Sequence, residues 1–207
     1  MNRAIRASRA NGRTNDPAGV RARVLDAAAG LFQTNGYHGT TMGDVIKGAG
    51  VSAGAMHHHY PSKKALGLAV IRERVGPAVR DTWVEPVIAA PSAFEGVKAV
   101  MDGIHADLTG RGGVNGCPLN NLALELSLVD KDFRAEIALI FADWQSAIAA
   151  RIAADQARGR CPLGSDPDQV AALIVAGYSG AMAMAKARQD PEPLRICGEA
   201  LLKVLIP

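Results

Sequence analysis

The chain has 207 residues, of which 48% are hydrophobic and 4% aromatic, and it contains 3 cysteines. A chain of this length can bury a hydrophobic core, and the scarcity of aromatic residues favours packed helices over β-sheet. An odd, scattered set of cysteines does not form a disulfide framework, which is typical of a reducing compartment. Residues 1–19 lack the apolar segment of a secretory signal, and no apolar run of about 18 residues is present. We therefore expect an all-α, cytoplasmic protein that does not span a membrane.

The formal net charge of +3 hides an asymmetry along the chain. Residues 1–75 contain 11 Lys and Arg against 4 Asp and Glu, whereas residues 76–207 contain 12 against 16. The first part therefore has a net charge of +7 and the second −4. This division predicts a polyanionic partner for the N-terminal part only. The alternative is a charge division that arose by chance and has no functional meaning.

The first 17 residues carry basic side chains among Asn, Gly, Ser and Ala, with no acidic residue before Asp16. The basic residues are Arg3, Arg6, Arg9 and Arg13. This composition predicts a flexible basic arm over residues 1–17. Two interpretations stay open: an arm that reaches the minor groove of DNA, or a solvated tail that adds only nonspecific attraction.

A pair of short helices joined by a tight turn is predicted next. Thr41 and Asp44 have the spacing of a capping box, and Gly50 suits the left-handed residue that ends a helix. Ser52 then caps a second helix over about residues 53–60. Two short helices joined in this way form a helix-turn-helix motif.

The second short helix opens with small residues and closes with polar ones. This order suits a recognition helix in a DNA major groove, because small residues permit close approach to bases while polar residues meet phosphates. The candidate DNA-contacting residues are Thr41, Ser52, Ala53, Gly54, Ala55, His57, His58, Tyr60 and Lys63. Three consecutive histidines end the helix, but consecutive helical side chains point about 100° apart and do not converge on one ion. We expect no metal site and no cofactor.

The same residues carry a family resemblance. Residues 24–66 resemble the DNA-binding domain of the TetR/AcrR family of transcriptional repressors. The matching residues are Ala28, Leu31, Phe32, Gly36, Tyr37, Thr40, Thr41, Asp44, Val45, Ile46, Ala49, Gly50, Val51, Ser52, Gly54, His58, His59, Tyr60, Pro61, Ser62, Lys63 and Leu66. Two positions depart from the family pattern: His57, where Tyr is usual, and Lys64, where an acidic residue is common. Further on, GCPL followed by NLALELS resembles the LmrA/YxaF-like C-terminal class of this family.

The resemblance implies a fold and a function. The fold would be an N-terminal three-helix helix-turn-helix domain over residues 18–65, followed by an effector-binding and dimerisation domain over residues 66–207. The function would be that of a ligand-responsive repressor, which binds a palindromic operator as a homodimer and is released by a small molecule, with electrophiles among the candidates. In the family, the helix after the motif is the lever that changes the spacing of the two DNA-binding heads.

The remaining sequence predicts further helices and no series of strands. The predicted helices are 18–35, 62–75, 77–90, 92–108, 118–128, 131–157, 167–188 and 191–206, with a break at Gly76–Pro77 and a glycine-rich loop at 110–116. Helix 167–188 is almost free of charge from Val170 to Ala185, which predicts burial on all sides. Together with helix 131–157 it predicts a four-helix bundle with a second subunit. The alternative is a buried central helix in a monomer.

Cys117 is predicted to begin a helix after a glycine-rich loop, where the positive helix end lowers a thiol pKa. It is either an electrophile-sensing thiolate, as in some relatives within the family, or a small packed residue. The resemblance also implies an effector pocket inside the body. The candidate lining residues are Trp83, Met101, His105, Cys117, Leu122, Trp144, Tyr178 and Met182.

Three functions are compared at this point. A dimeric, ligand-responsive regulator explains the helix-turn-helix motif, the charge division and the uncharged helix together. A constitutive DNA-binding protein without an effector leaves the large body unexplained. An enzyme that uses Cys117 as nucleophile and His105 as base leaves the basic motif unexplained, and no third catalytic partner is evident. We therefore expect a regulator and not an enzyme.

Overall fold

The computed structural model describes residues 17–160 and 166–205, which are helical and contain no strand. The prediction made for the basic arm up to residue 16 lies outside these ranges. The helices are α1 (Pro17–Asn35), α2 (Met42–Ala49), α3 (Ala53–His59), α4 (Lys63–Val70), α5 (Gly76–Val79), α6 (Glu85–Ala89), α7 (Ala93–Arg111), α8 (Pro118–Leu126), α9 (Lys131–Ala157), α10 (Pro167–Arg188) and α11 (Glu192–Leu205). The predicted all-α fold is confirmed.

Helices α1, α2 and α3 form the head of the molecule, and α2 has both of the predicted end signals. The Thr41 hydroxyl accepts a hydrogen bond from the Asp44 N–H at 3.1 Å, and the Asp44 carboxylate accepts one from the Thr41 N–H at 2.8 Å. Gly50 ends the helix with φ +63°, a left-handed conformation that favours glycine. Local sequence signals therefore determine the boundaries of α2.

The predicted helix break at Gly76–Pro77 is wrong. Helical backbone runs from α4 through two π-helical segments, Ile71–Val75 and Arg80–Val84, to the end of α6. Before Pro77, the Gly76 N–H bonds to the Ile71 carbonyl five residues back. The wider turn accommodates the proline ring, which lacks an N–H and would otherwise collide with the carbonyl four residues back.

A side chain also compensates for the donor that Pro77 lacks. The Glu73 carbonyl would accept from residue 77 in a regular α-helix, and instead it accepts from Arg74 Nη1 at 2.9 Å. The same backbone pattern recurs before Pro86, where the Glu85 N–H bonds to the Arg80 carbonyl. The helix that joins the head to the body is therefore continuous across two prolines.

Other boundaries differ from the sequence prediction by a few residues. α7 continues to Arg111, three residues further than predicted, and Gly112 ends it with φ +69°. α8 ends at Leu126, two residues earlier than predicted. α9 and α10 have the predicted bounds, and the aspartates before them, Asp130 and Asp166, cap them as expected.

Within the single chain α10 is buried on one side, and the predicted burial of its other side depends on a second subunit. One stripe faces the core and comprises Val170, Ala171, Ile174, Val175, Tyr178, Ala181, Met182 and Ala185. The opposite stripe is exposed in the single chain and comprises Ala172, Leu173, Ala176, Gly180, Ala183, Met184 and Ala187. The outer stripe is uncharged, so the sequence shows no polar face although one face of the helix is exposed.

α9 and α10 are also long and apolar enough to qualify as membrane spans by length and composition, although no such helix was expected. Core helices of soluble proteins meet the same criterion. α10 packs against α9 and α11, and its inner stripe lies in the core. This packing accounts for the apolar residues of the inner stripe.

A buried ion pair fixes the turn between α6 and α7. Asp155 is fully buried, and its carboxylate accepts a hydrogen bond from the Ala93 N–H at 2.7 Å and one from Arg151 Nε at 3.1 Å. Arg151 also donates to the carbonyls of Ile88 and Ala90 at the end of α6. The pair therefore satisfies backbone groups at both helix ends, which is the condition under which a buried charge pair is tolerated.

Candidate nucleic-acid interface and ligand region

Two buried side chains hold α3 against the rest of the head. Met56 is fully buried and Tyr60 is 4% exposed. The helix begins at Ser52, whose hydroxyl accepts from the Ala55 N–H at 3.2 Å, and the Tyr60 N–H closes it onto the Met56 carbonyl at 2.9 Å. A seven-residue helix is marginal in isolation, so its orientation depends on these anchors.

The opposite face of α3 is exposed to solvent. Ala53, Gly54, His57 and His58 are exposed, and a Cβ placed on Gly54 would meet no atom within 4 Å. These residues lie at spacings of three and four, which is one helix face. Ala55 is half-exposed beside this strip. The face is narrow and rigidly supported, as a helix that enters a groove must be.

Tyr60 does not fit the predicted phosphate contact. Its side chain lies in the core, and its hydroxyl has no hydrogen-bond partner among the described residues. Burial raises the pKa of this hydroxyl. The guanidinium of Arg21 lies 5.8 Å from the ring centroid. Tyr60 is therefore an anchor of α3, and the sequence prediction misplaced it because a tyrosine at a helix end suits either role.

Thr41 and Lys63 lie at the surface but already have partners. The Thr41 hydroxyl donates to the Asp44 carboxylate at 2.7 Å, so a phosphate acceptor would compete for that proton. Lys63 Nζ lies 4.4 Å from the centroid of the Tyr37 ring and 3.5 Å from the His38 carbonyl. Lys63 carries three donors and can keep the ring contact while it meets a phosphate.

A carboxylate in the body binds the head, and the sequence analysis did not identify it. Glu125 Oε2 accepts from the Tyr37 N–H at 2.8 Å, and Oε1 accepts from the His38 N–H at 2.6 Å. On the same side, Gln33 Nε2 donates to the Gly116 carbonyl at 2.6 Å. Glu125 is the one charged residue of α8. That isolated charge in an apolar helix was the available signal.

Ion pairs make further links between the head, the continuous helix from α4 to α6 (the long helix) and α9. Arg21 pairs with Glu73 at 2.5 Å, which lowers the pKa of the Glu73 carboxyl. Lys64 Nζ lies 2.7 Å from Asp130 and 2.6 Å from Asp132, and the first contact lowers the Asp130 pKa. These groups are partly exposed, so solvent screening limits the contribution of each pair to stability.

Three of the predicted effector residues form one aromatic cluster. The ring centroids are 5.2 Å apart for Trp83 and Trp144, 4.7 Å for Trp83 and Tyr178, and 5.8 Å for Trp144 and Tyr178. The indole nitrogens of Trp83 and Trp144 are buried, and neither has a hydrogen-bond partner among the described residues. Buried donors without partners are uncommon in proteins and need an explanation.

Cys117 adjoins this cluster, and its environment favours the packed residue over the thiolate. The side chain is 5% exposed, and burial raises the pKa of the thiol. The backbone N–H groups of Asn120 and Leu119 and the Tyr178 hydroxyl favour the thiolate, and desolvation outweighs them. The thiol is therefore neutral and shielded, which disfavours both the electrophile-sensing role and the nucleophilic role that an enzyme would need.

The remaining effector candidates are less closely grouped. Met101, Leu122 and Met182 are buried, and His105 is half-buried on α7. Met101 packs beside Gly198 of α11. Most of the predicted effector residues therefore belong to the hydrophobic core. The aromatic cluster, with its buried indole N–H groups, is the main polar part of the set.

A cavity of about 430 Å³ lies between the π-helical part of the long helix and α9. Of the eight predicted effector residues, Trp144 alone lines it. Its other walls combine apolar and charged residues, including Pro77, Val79, Arg80, Val84, Leu139, Ile140 and Asp143. The cavity has the size of a small-molecule site. Periodicity did not reveal it, because the sequence analysis expected a helix break where one wall is formed.

In the ranges 17–160 and 166–205, no group of three or more His, Cys, Asp or Glu residues is placed to hold a metal ion. Each member of the histidine run has its own direction on α3. His57 and His58 are exposed, His59 is half-buried, and the ring centroids of His58 and His59 are 5.2 Å apart.

Comparison with known proteins agrees with this architecture. Residues 24–70 match the family model for bacterial regulatory proteins of the tetR family. Residues 93–200 match the model for the C-terminal domain of LmrA/YxaF-like transcriptional regulators. The first match spans the helices of the head, and the second spans α7 through most of α11.

Individual relatives are distant in sequence and close in fold. The chain is 26% identical over 195 residues to the HTH-type transcriptional repressor DhaR of Mycobacterium sp. (strain GP1), covering 91% of this chain and 93% of that protein. A regulatory protein TetR from Rhodobacter sphaeroides superposes with a TM-score of 0.82 at 23% identity, covering 90% of this chain and 99% of that one. The regulator CifR, solved as a cysteine variant with 26-base-pair operator DNA, superposes with a TM-score of 0.76 at 21% identity, covering 87% and 94%.

The family model for the C-terminal domain alone matches more than half of the chain, and the model for the DNA-binding domain matches the head. Members of this family are transcriptional regulators and not enzymes. The chain belongs to the TetR family of transcriptional regulators, in the class with an LmrA/YxaF-like C-terminal domain.

Proposed function

We propose that this regulator is a cytoplasmic repressor that binds a palindromic operator as a homodimer and is released when a small molecule binds its body. The observation that carries the proposal is the solvent-exposed face of α3, which is held by Met56 and has open space around Gly54. A helix presented in this way matches the recognition helix of a helix-turn-helix protein. DhaR is named a repressor, and CifR was solved with operator DNA, which supports this function for a chain of the same fold.

Charge favours DNA as the partner of the head. The described part of the head presents Lys47 and Lys63 near the exposed face of α3, and the first 75 residues of the sequence have the net charge of +7 noted above. Contacts between basic residues and phosphates release counterions, which makes binding salt-dependent. We expect Ser52 to Ala55 to lie against base edges, with the lysines and Thr41 beside phosphates.

The outer stripe of α10 supports the dimer. It contains no charge, Leu173 is 45% exposed and Met184 is 50% exposed. Small residues between them allow another helix to approach closely, and a Cβ on Gly180 would meet no atom within 4 Å. An uncharged helix face of this length is unusual on the surface of a monomer. We propose that it packs against the same stripe of a second copy about a two-fold axis.

The cavity beside Trp144 supports the effector. It lies against the continuous helix that leads from the head, so a ligand there would touch the element that packs against α1 of the head. Apolar walls with Arg80 and Asp143 suit a mainly apolar molecule with one polar or charged group. The buried indole N–H of Trp144 gives a further unpartnered donor in the same region. Because Cys117 is shielded, we propose noncovalent binding.

Selection of bound duplexes from a random pool, followed by footprinting, tests this function. The expected result is an inverted repeat whose half-sites are protected about one helical turn apart. Failure to bind any duplex at low salt would contradict the proposal. The alternative, a constitutive DNA-binding protein without an effector, predicts a complex that no small molecule releases. A titration of the complex with metabolites, followed by Trp fluorescence and DNA release, distinguishes the two.

A further inference from the structure

The exposed face of α3 has two kinds of side chain. Ala53 and Gly54 carry no side-chain donor or acceptor, whereas His57 and His58 carry two ring nitrogens each. Met56 faces the core and does not contribute. Apart from the Ser52 hydroxyl at the N-cap, any polar side-chain contact from this face to a groove therefore comes from the two imidazoles.

The charged groups around these imidazoles leave them unpaired. α1 and α2 pack against α3, and α4 follows it. The described charged residues on these elements are Arg21, Arg23, Asp26, Asp44, Lys47, Lys63 and Lys64. Asp26 pairs with an arginine, and Asp44 is held in the capping box, which lowers its pKa. In the described ranges, no carboxylate forms an ion pair with His57 or His58.

The other histidines of the head lie in different settings. His59 is half-buried, between the rings of His58 and Tyr60. His38 lies in the turn between α1 and α2, where its backbone N–H bonds to Glu125 of the body. Neither belongs to the exposed strip of α3.

We propose that His57 and His58 gain protons when α3 enters the major groove, so that DNA affinity increases as the pH falls through the imidazole range. The inference rests on the proposed function. An unperturbed imidazole has a pKa of about 6.5, and nearby phosphates favour its charged form. A charged imidazole donates from both nitrogens, which suits phosphate oxygens and the acceptors of guanine.

The sign follows from proton linkage. Phosphates favour the charged form of an imidazole, so the complex binds more protons than the free protein over the imidazole range. Lowering the pH therefore favours the complex. With two histidines in each of two heads, we expect affinity to increase at least about tenfold between pH 8 and pH 5.5.

Fluorescence anisotropy tests the inference with a labelled mixed-sequence duplex of about 30 base pairs, at constant ionic strength and several pH values. The wild-type dissociation constant should be at least about tenfold lower at pH 5.5 than at pH 8. The double variant His57→Gln/His58→Gln keeps polar side chains that do not titrate, and its affinity should depend little on pH. The control variant His38→Gln should retain the wild-type pH dependence.

The possible outcomes separate this inference from the proposed function. Binding at every pH with an unchanged dissociation constant would overturn the inference and leave DNA binding intact. A double variant that keeps the pH dependence, or a loss of that dependence in His38→Gln, would overturn the assignment to α3. Failure to bind DNA at any pH would instead overturn the proposed function.

Discussion

The carboxylate of Glu125 accepts the backbone N–H of Tyr37 at 2.8 Å, and its second oxygen accepts the neighbouring N–H at 2.6 Å. One side chain of α8 thereby fixes the turn between α1 and α2. α8 begins directly after Cys117, which lies beside Tyr178 of the aromatic cluster. α8 thus connects the aromatic cluster to the head, in addition to the continuous helix from α4 to α6.

Removal of this carboxylate should loosen the turn. In Glu125→Ala we expect amide hydrogen exchange at Tyr37 and His38 to be at least about tenfold faster, because bonds to a charged acceptor contribute about 1.5–3 kcal/mol each before solvent screening. Glu199→Ala is the matched control, since Glu199 pairs with Arg195 on its own helix. Equal exchange rates in wild type and Glu125→Ala would show that the contact does not hold the turn.

Acid should weaken the links between the head, the long helix and α9. Arg21 lowers the pKa of Glu73, and Lys64 lowers the pKa of Asp130. A carboxyl with a lowered folded-state pKa stabilises the fold above its unfolded pKa, and this stability is lost as the pH falls through the folded value. Glu73→Gln should therefore melt below wild type at pH 7, and the difference should shrink as the pH falls below the unfolded pKa of Glu73.

The control for this pH series is Asp102→Asn, which removes an exposed pair with Lys98 within α7. This variant should melt close to wild type, because exposed pairs four residues apart contribute little. A melting difference for Glu73→Gln that persists unchanged to about pH 3 would contradict the assignment of its effect to the ionised carboxylate.

A charge on the outer stripe of α10 should separate the dimer. Ala176 is exposed in the single chain, and the proposed two-fold packing would bury it. An unpaired carboxylate there should cost about 3 kcal/mol or more, which is at least about 100-fold in the dimer dissociation constant. Ala176→Glu should therefore sediment as a monomer near 21.6 kDa at micromolar concentration.

Ala106→Glu places the same charge on an exposed position of α7 and should leave the dimer intact. Sedimentation equilibrium measures the mass in solution of wild type, Ala176→Glu and Ala106→Glu. If wild type is already monomeric at this concentration, or if both variants dissociate equally, the outer stripe of α10 is not the interface.

Cys117 should react slowly in the folded protein. It is 5% exposed, and burial raises the pKa of its thiol. We expect iodoacetamide to label Cys117 in denatured protein and to leave it largely unlabelled at neutral pH in the folded state, as followed by peptide mass spectrometry. Rapid labelling of Cys117 in the folded protein would revive the electrophile-sensing role.

Local signals in the sequence predicted most helix boundaries, because caps act within one turn. Thr41 with Asp44, Gly50, and Asp130 are short-range devices, and each behaves as expected in the structure. The prediction at Pro77 failed because a π-helical turn, stabilised by packing along α9, accommodates the ring. Local propensity does not include this tertiary contribution.

The candidate sites were less predictable, since burial depends on distant parts of the chain. Helix-turn-helix spacing identified the exposed strip of α3, but it did not distinguish Tyr60 as an anchor from Tyr60 as a phosphate contact. Cys117 lies at a helix start, which favours a thiolate, and desolvation by the surrounding core outweighs that effect. Glu125 acts on a turn 88 residues earlier in the chain, so no sequence pattern connected them.

Gly54→Trp tests the central claim, that the outer face of α3 enters DNA. A Cβ at Gly54 meets no protein atom within 4 Å, so the variant should fold and dimerise normally, but its indole would occupy the space of the bases. The same is true of Gly110 on α7, which makes Gly110→Trp the matched control. We predict that Gly54→Trp weakens binding to the selected operator by at least about 100-fold while Gly110→Trp binds as wild type. Operator binding by Gly54→Trp at wild-type affinity would contradict the account.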